Sequence, residues 1–120
     1  MNVLIVDDIL LNRILLSELV KKMGYTFLQA QNGKEAIQLI KIHNFDVVLM
    51  DIEMPVMNGL EAVREIRNLP GILKDTPVIA LTAHNPDDFM EEFTSAGFNE
   101  LITKPYLIDK VDKIINKYKK

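Results

Sequence analysis

Several polar residues stand where an apolar run has just ended. Asp7 and Asp8 follow Val3-Leu4-Ile5-Val6, Asp51 follows Val47-Val48-Leu49-Met50, Thr82 follows Val78-Ile79-Ala80-Leu81, and Lys104 closely follows Leu101-Ile102. Three carboxylates and one ammonium sum to −2. Carboxylates forced together raise one another's pKa unless a cation intervenes, and a divalent cation brings the sum to zero. A few oxygen ligands, with positions left open for water and phosphate, suit Mg²⁺ (or Mn²⁺ in its place) better than Zn²⁺ or a calcium cage. A carboxylate in such a neutralised pocket can attack phosphorus and become an aspartyl phosphate. That transfer needs mainly positioning and charge neutralisation, which the metal and Lys104 would supply while the Thr82 hydroxyl donates to a phosphoryl oxygen. Taken singly, each aspartate reads as a helix N-cap or turn residue, Thr82 as a cap and Lys104 as a surface lysine. Their joint appearance at four strand ends favours a shared site.

The elements that would bring them together alternate along the chain. Five short apolar segments, rich in β-branched residues, are separated by longer amphipathic ones. Leu15, Leu16, Leu19, Val20 and Met23 predict the buried stripe of a first helix that stops at Gly24. Thr26 to Ala30 reads as a weaker second strand, Asn32-Gly33 as a turn, and Ala36, Ile37 and Ile40 as the next stripe. The stretch from Met54-Pro55 to Asn58-Gly59 predicts a loop, and Leu60, Val63 and Ile66 a third helix. Asn68 to Thr76, containing Pro70-Gly71, reads as a second loop. Asn85-Pro86 predicts an N-cap followed by proline at the first helical position, opening a helix with Phe89, Met90 and Phe93 that stops at Gly97. Leu107, Ile108, Val111, Ile114, Ile115 and Tyr118 form the last amphipathic stripe.

Five βα units with strands this uniformly apolar predict an α/β fold: a three-layer, doubly wound, five-stranded parallel sheet with helices on both faces. Two strand orders fit, a flavodoxin-like 2-1-3-4-5 and a Rossmann-like one. In such a sheet every strand's carboxyl end lies at one edge, and ligands bind there, at the switch point between the first and third strands. Neither G-x-G-x-x-G nor G-x-x-x-x-G-K-[ST] is present, which disfavours a nucleotide site.

Bulk properties narrow the function classes. The 120 residues fit one domain, 1–120. A net charge of −3 offers no general attraction for nucleic acid or an anionic membrane. The basic run from Lys117 to Lys120 reads as a solvated helix end. No cysteine is present, so disulfides and thiolate metal sites are excluded. With no basic signal-peptide start and no apolar run near the ~20 residues of a membrane span, the expected location is cytoplasmic and the expected state a monomer.

Longer motifs carry a resemblance. Val6-Asp7-Asp8 with Asn12-Arg13, Asn32-Gly33-Lys34-Glu35-Ala36, the stretch from Met50 to Gly59, Leu81-Thr82-Ala83 and Lys104-Pro105 resemble the response-regulator receiver domain over essentially the whole chain. Asn12 and Met54-Pro55-Val56-Met57 most resemble receivers of hybrid sensor kinases or multistep phosphorelays.

The resemblance implies the 2-1-3-4-5 order and a phosphoacceptor switch served by a histidine kinase or a histidine-phosphotransfer protein. Asp51 matches the phosphoacceptor. Asp8, Asp51 and the Glu53 backbone carbonyl match direct metal ligands, and Asp7 the acid that holds the metal through water. Thr82 and Lys104 match the phosphoryl-binding pair, and Ala83 the small residue that leaves room for the phosphoryl group. A cis Lys104-Pro105 bond is implied, aiming the lysine into the pocket. Departures are Leu101 where an aromatic is usual, and Ile9 where many members are polar. With Leu101 the ring rotation coupled to Thr82 is unavailable, which implies a modest conformational change suited to a relay. Glu53 and His84 occupy variable positions that tune loss of the phosphoryl group, and Met54 and Met57 read as loop packing. Ile9, Leu10 and Leu11, with Pro105 and Tyr106, are expected to rim the site, and Ile9, Leu11, Pro105 and Tyr106 to dock the partner. Two alternatives compete: a small aspartate-nucleophile phosphohydrolase, which usually has an aspartate where Glu53 stands, and a degenerate receiver acting as an interaction module without phosphorylation.

Overall fold

A computed structural model describes residues 1–83, 86–105 and 107–119, with the backbone alone over 86–90. His84, Asn85 and Tyr106, and the side chains of Phe89 and Met90, lie outside the described residues. The elements alternate as expected: β1 (Asn2–Val6), α1 (Leu10–Lys22), β2 (Thr26–Ala30), α2 (Gly33–Ile42), β3 (Val47–Asp51), α3 (Gly59–Arg67), β4 (Val78–Thr82), α4 (Pro86–Ala96), β5 (Glu100–Thr103) and α5 (Ile108–Asn116). All strand pairs are parallel and the order is β2-β1-β3-β4-β5, which settles the choice between the two architectures.

Alternate strand residues point to opposite faces, so each strand feeds two cores. Leu4, Val6, Val48, Met50 and Ala80 pack with α2, α3 and Phe93 of α4 on one face. Val3, Ile5, Val47, Leu49, Ile79 and Leu81 pack with α1 and α5 on the other. β3 and β4 are buried at every position, whereas the edge strand β2 is half exposed, matching its weaker sequence signal.

Three expectations need correction. The loop from Asn68 to Thr76 contains a 3₁₀ helix, Gly71–Asp75, initiated after Pro70. Leu15 is 59% exposed rather than part of the buried stripe of α1. The buried side of α1 is Arg13, Leu16, Ser17 and Val20, and Leu15 sits roughly 100° round from Leu16. Two polar residues can lie on that side because Gln29 of β2 meets both. Its carbonyl oxygen accepts from Arg13 Nε (3.2 Å), and its amide donates to Ser17 Oγ (2.8 Å). Likewise Leu107 and Ile108, expected in the buried stripe of α5, are 70% and 67% exposed. They stand at the helix start, before the stripe of Val111, Ile114 and Ile115 reaches the sheet.

Candidate functional site

β1 and β3 are neighbours, and their register pairs Val6 with Met50. The residues that follow, Asp7 and Asp51, therefore leave the sheet side by side. Asp7, Asp8 and Asp51 each offer a carboxylate oxygen, all within 4.8 Å of one another. Asp7 is fully buried, Asp51 is 3% exposed and Asp8 is exposed. Two inward carboxylates and one facing solvent form a cup with its mouth at Asp8.

On the other side of β3, β4 delivers Thr82, buried at 1% exposure, and β5 leads into Lys104. The Lys104 backbone N–H donates to the Thr82 carbonyl (2.7 Å), so the two residues are tied through the main chain. The Lys104-Pro105 bond is cis, as the resemblance implies. Lys104 Nζ lies 3.1 Å from Asp51 Oδ1, and the Glu53 N–H donates to the same oxygen at 3.3 Å. Lys104 and the Glu53 N–H thus meet the same oxygen of Asp51. Burial pushes the Asp51 carboxyl above its usual range. The hydrogen bond and charge of Lys104 and the Glu53 N–H oppose that rise, and the charge of Asp7 adds to it.

The loop after β3 is held tightly. The Gly59 N–H donates to the Ile52 carbonyl (2.9 Å), and a Cβ on Gly59 would lie 2.7 Å from the Asp51 carbonyl oxygen, so only glycine lets α3 start this close to the strand end. The Asn58 side chain accepts from the Glu61 N–H while the Glu61 carboxylate accepts from the Asn58 N–H, a capping box that sets the helix start. Met54 is buried and Met57 packs against the same core, which is the loop-packing role expected of them. Between them Val56 adopts φ +70°, an unfavourable conformation for a β-branched residue, closed by a Met57 N–H bond to the Pro55 carbonyl (2.8 Å). Glu53 is exposed at the start of this loop.

Ala83 is exposed next to Thr82, and Leu101 is half-buried on β5 opposite Ala80. Of the expected rim, Ile9, Leu10, Leu11 and Pro105 are exposed. The structure adds Ile14, Leu15, Leu107 and Ile108 to the exposed apolar residues of α1 and the start of α5, which the sequence reading had not assigned to a surface. It also gives Asn12 and Arg13 places at the site. Asn12 Nδ2 donates to Asp7 Oδ2 (3.2 Å), and Arg13 Nη1 donates to the Asp7 carbonyl (2.8 Å). The signal that could have found them is their spacing, one helical turn beyond the acid pair on the helix that the pair opens.

Comparison with known proteins gives one family. The model of the response regulator receiver domain matches residues 3–116. The CAI-1 autoinducer sensor kinase/phosphatase CqsS of Vibrio cholerae is 39% identical over 103 residues, 86% of this chain and 15% of that protein. The chain therefore spans about 15% of the length of that relative. The chemotaxis protein CheY of Thermotoga maritima is 36% identical over 119 residues, covering 98% of this chain and 97% of that one. Among solved structures, the response regulator TrrA of Thermotoga maritima in complex with Mg²⁺ and BeF superposes with a TM-score of 0.86 at 34% identity, covering 98% of each chain.

Proposed function

Because this chain belongs to the response regulator receiver family, the phosphoacceptor switches of two-component systems and phosphorelays, we propose that Asp51 is its phosphoacceptor. One observation supports this above the others. Asp51 is the buried carboxylate that lies both against the acid pair and 3.1 Å from Lys104. Its partners are then a donor of phosphohistidine and a divalent cation, and residues 1–120 act as one receiver domain. The chemistry is transfer of one phosphoryl group on and off the aspartate, not turnover of a substrate pool.

The donor set fits Mg²⁺: oxygen atoms, few of them, with a solvent-facing side at Asp8. Asp8, Asp51 and the Glu53 carbonyl would hold it directly and Asp7 through water. When bound, Mg²⁺ would together with Lys104 neutralise the three carboxylates and would polarise the incoming phosphoryl oxygens. In the transfer, a carboxylate oxygen of Asp51 attacks phosphorus. The new P–O bond forms as the P–N bond to the donor imidazole breaks, and that bond's electron pair returns to the ring. Lys104 leaves Asp51 for a phosphoryl oxygen, Thr82 donates its hydroxyl to another, and Ala83 leaves room for the group. The dianionic group draws Thr82 and its loop inward. Leu101, lacking a ring to turn, passes that movement on less far, as suits a relay.

The donor histidine must reach Asp51, so its protein must cover the rim. Ile9, Leu11 and Pro105 are exposed there and offer an apolar contact continuous with α1. Tyr106, expected beside them, lies outside the described residues. A histidine kinase or phosphotransfer protein is the occupant that the chemistry requires.

Intact-mass analysis after incubation with acetyl phosphate and Mg²⁺ tests the site: one phosphoryl group is expected, absent in Asp51→Asn and absent with EDTA. Equal labelling of Asp51→Asn would refute the assignment. Ile9→Lys is expected to slow transfer from a phosphorylated phosphotransfer protein while leaving acetyl-phosphate labelling intact. An equal loss in both assays would place Ile9 in the pocket rather than at the partner.

A further inference from the structure

We propose that Asn12 is the residue that positions Asp7 for metal binding, an inference that rests on the Mg²⁺ reading of the acid cup. Every polar atom of Asp7 has a partner. Its backbone N–H donates to the Ala30 carbonyl (3.1 Å), and its carbonyl accepts from Arg13 Nη1 (2.8 Å). Its Oδ1 accepts from the Ile9 N–H (2.9 Å), and its Oδ2 accepts from Asn12 Nδ2 (3.2 Å). Three of these bonds are made by the main chain or by a buried arginine that also holds Gln29. The fourth comes from a half-buried side chain on the first turn of α1.

The consequence is orientational. A carboxylate held by one donor at Oδ1 can still turn about its last torsion, which is broad rather than sharply staggered. Crowded against Asp8 and Asp51, an unrestrained Asp7 lowers its energy by turning away from them. The second donor at Oδ2 fixes the carboxylate plane and keeps Asp7 facing the cup before any cation arrives. The donor's chemistry matters as much as its place. An amide donates without carrying charge, so it orients Asp7 and leaves the full negative charge for the metal. A lysine or arginine at position 12 would neutralise the acid and compete with the cation. Consecutive residues thus divide the work: Arg13 anchors the Asp7 backbone, and Asn12 aims its side chain. Partners that orient metal-binding groups typically carry ten- to a hundredfold of the affinity, roughly, and a group acting through water belongs at the lower end.

Titration of the metal-free protein with MgCl₂ alone, followed by calorimetry or amide NMR shifts, tests the proposal. Asn12→Ala is expected to raise the Mg²⁺ dissociation constant by about tenfold while the metal-free protein stays folded in EDTA, with at most a small drop in melting temperature from the lost bond. Its labelling by acetyl phosphate should be slow at low Mg²⁺ and recover fully at saturating Mg²⁺. An unchanged dissociation constant would overturn the proposal. A labelling rate that stays depressed at saturating Mg²⁺ would overturn it too, by placing Asn12 in the chemistry or the fold. A wild-type protein that binds no Mg²⁺ would instead refute the metal reading on which it rests.

Discussion

The two edges of the sheet use charge in opposite ways. At the amino edge, polar side chains finish what the strands leave open. Asp46 accepts from the Asn2 N–H (2.7 Å), and Asn99 accepts from the Val78 N–H (2.8 Å). Arg67, at the end of α3, donates to the carbonyls of Lys74 (2.9 Å), Thr76 (2.6 Å) and Gly97 (3.0 and 2.7 Å), and to Asn99 Oδ1 (2.8 Å). It thereby binds α3, the 3₁₀ turn, α4 and β5 with one guanidinium. Gly97, at φ +119°, lies against it, and a Cβ there would come within 2.8 Å of Arg67 Cγ. At the carboxyl edge, three carboxylates meet beside Lys104, and burial raises the Asp51 carboxyl above its usual range. At the amino edge the charged groups complete the hydrogen bonding of the fold, whereas at the carboxyl edge three carboxylates face a single lysine and leave a net negative cluster.

The largest effect that could break this contrast is expected at Arg67. Arg67→Ala leaves several carbonyls without their donor and should cost about 3 kcal/mol of unfolding free energy in denaturant titration. Below the transition, labelling of Asp51 should persist. Loss of labelling in a still-folded variant would mean that the two edges are not independent.

The opposite sign is expected at the other edge. The Asp51 carboxyl is raised in the folded protein, so the stability linked to its protonated form is present below the ordinary carboxylate pKa and is lost as pH rises through the folded value. As pH rises in EDTA, deprotonation of this buried carboxyl therefore works against the fold. Asp51→Asn should raise the melting temperature at neutral pH in EDTA, by less than Arg67→Ala lowers it, and the gain should vanish in acid. A variant less stable at neutral pH would show that Asp51, like Arg67, is a structural charge.

The smallest effect is expected where an amino-edge charge is exposed. Glu100 accepts from Lys117 Nζ (2.8 Å) and from the Tyr118 hydroxyl (2.6 Å). Burial pulls its carboxyl up, but these partners outweigh burial and hold it below the usual range, while burial and Glu100 push Tyr118 up to about 12. Stability from Glu100 is present above the ordinary carboxylate pKa and lost as pH falls through the folded value. With Lys117 mostly in solvent, Lys117→Ala should cost about 0.5 kcal/mol at neutral pH. That difference should close as Glu100 is protonated. A cost that persisted in acid would assign the effect to packing of the lysine stem.

By itself, the sequence determined the βα alternation, the parallel sheet and the membership of the acid cup. Each is written locally: apolar runs that must be buried on both faces, and polar residues set just past their ends. Asp7, Asp8, Asp51 and Lys104 were legible because a parallel sheet turns four separate strand ends into one edge. Only the tertiary structure decided which way α1 faces and what the side chains around the cup do. Arg13 and Ser17 are buried and Leu15 is exposed because Gln29, on a neighbouring strand, supplies polar partners that no pattern within the helix reveals. Leu107 and Ile108 follow the apolar rhythm of α5 yet lie outward, because the helix meets the sheet only from Val111 onward. Asn12 stands in a motif that carries the resemblance and Arg67 is an ordinary polar residue, but neither one's hydrogen-bond partners can be read from the sequence. Their roles come from hydrogen bonds to groups that folding alone brings within reach.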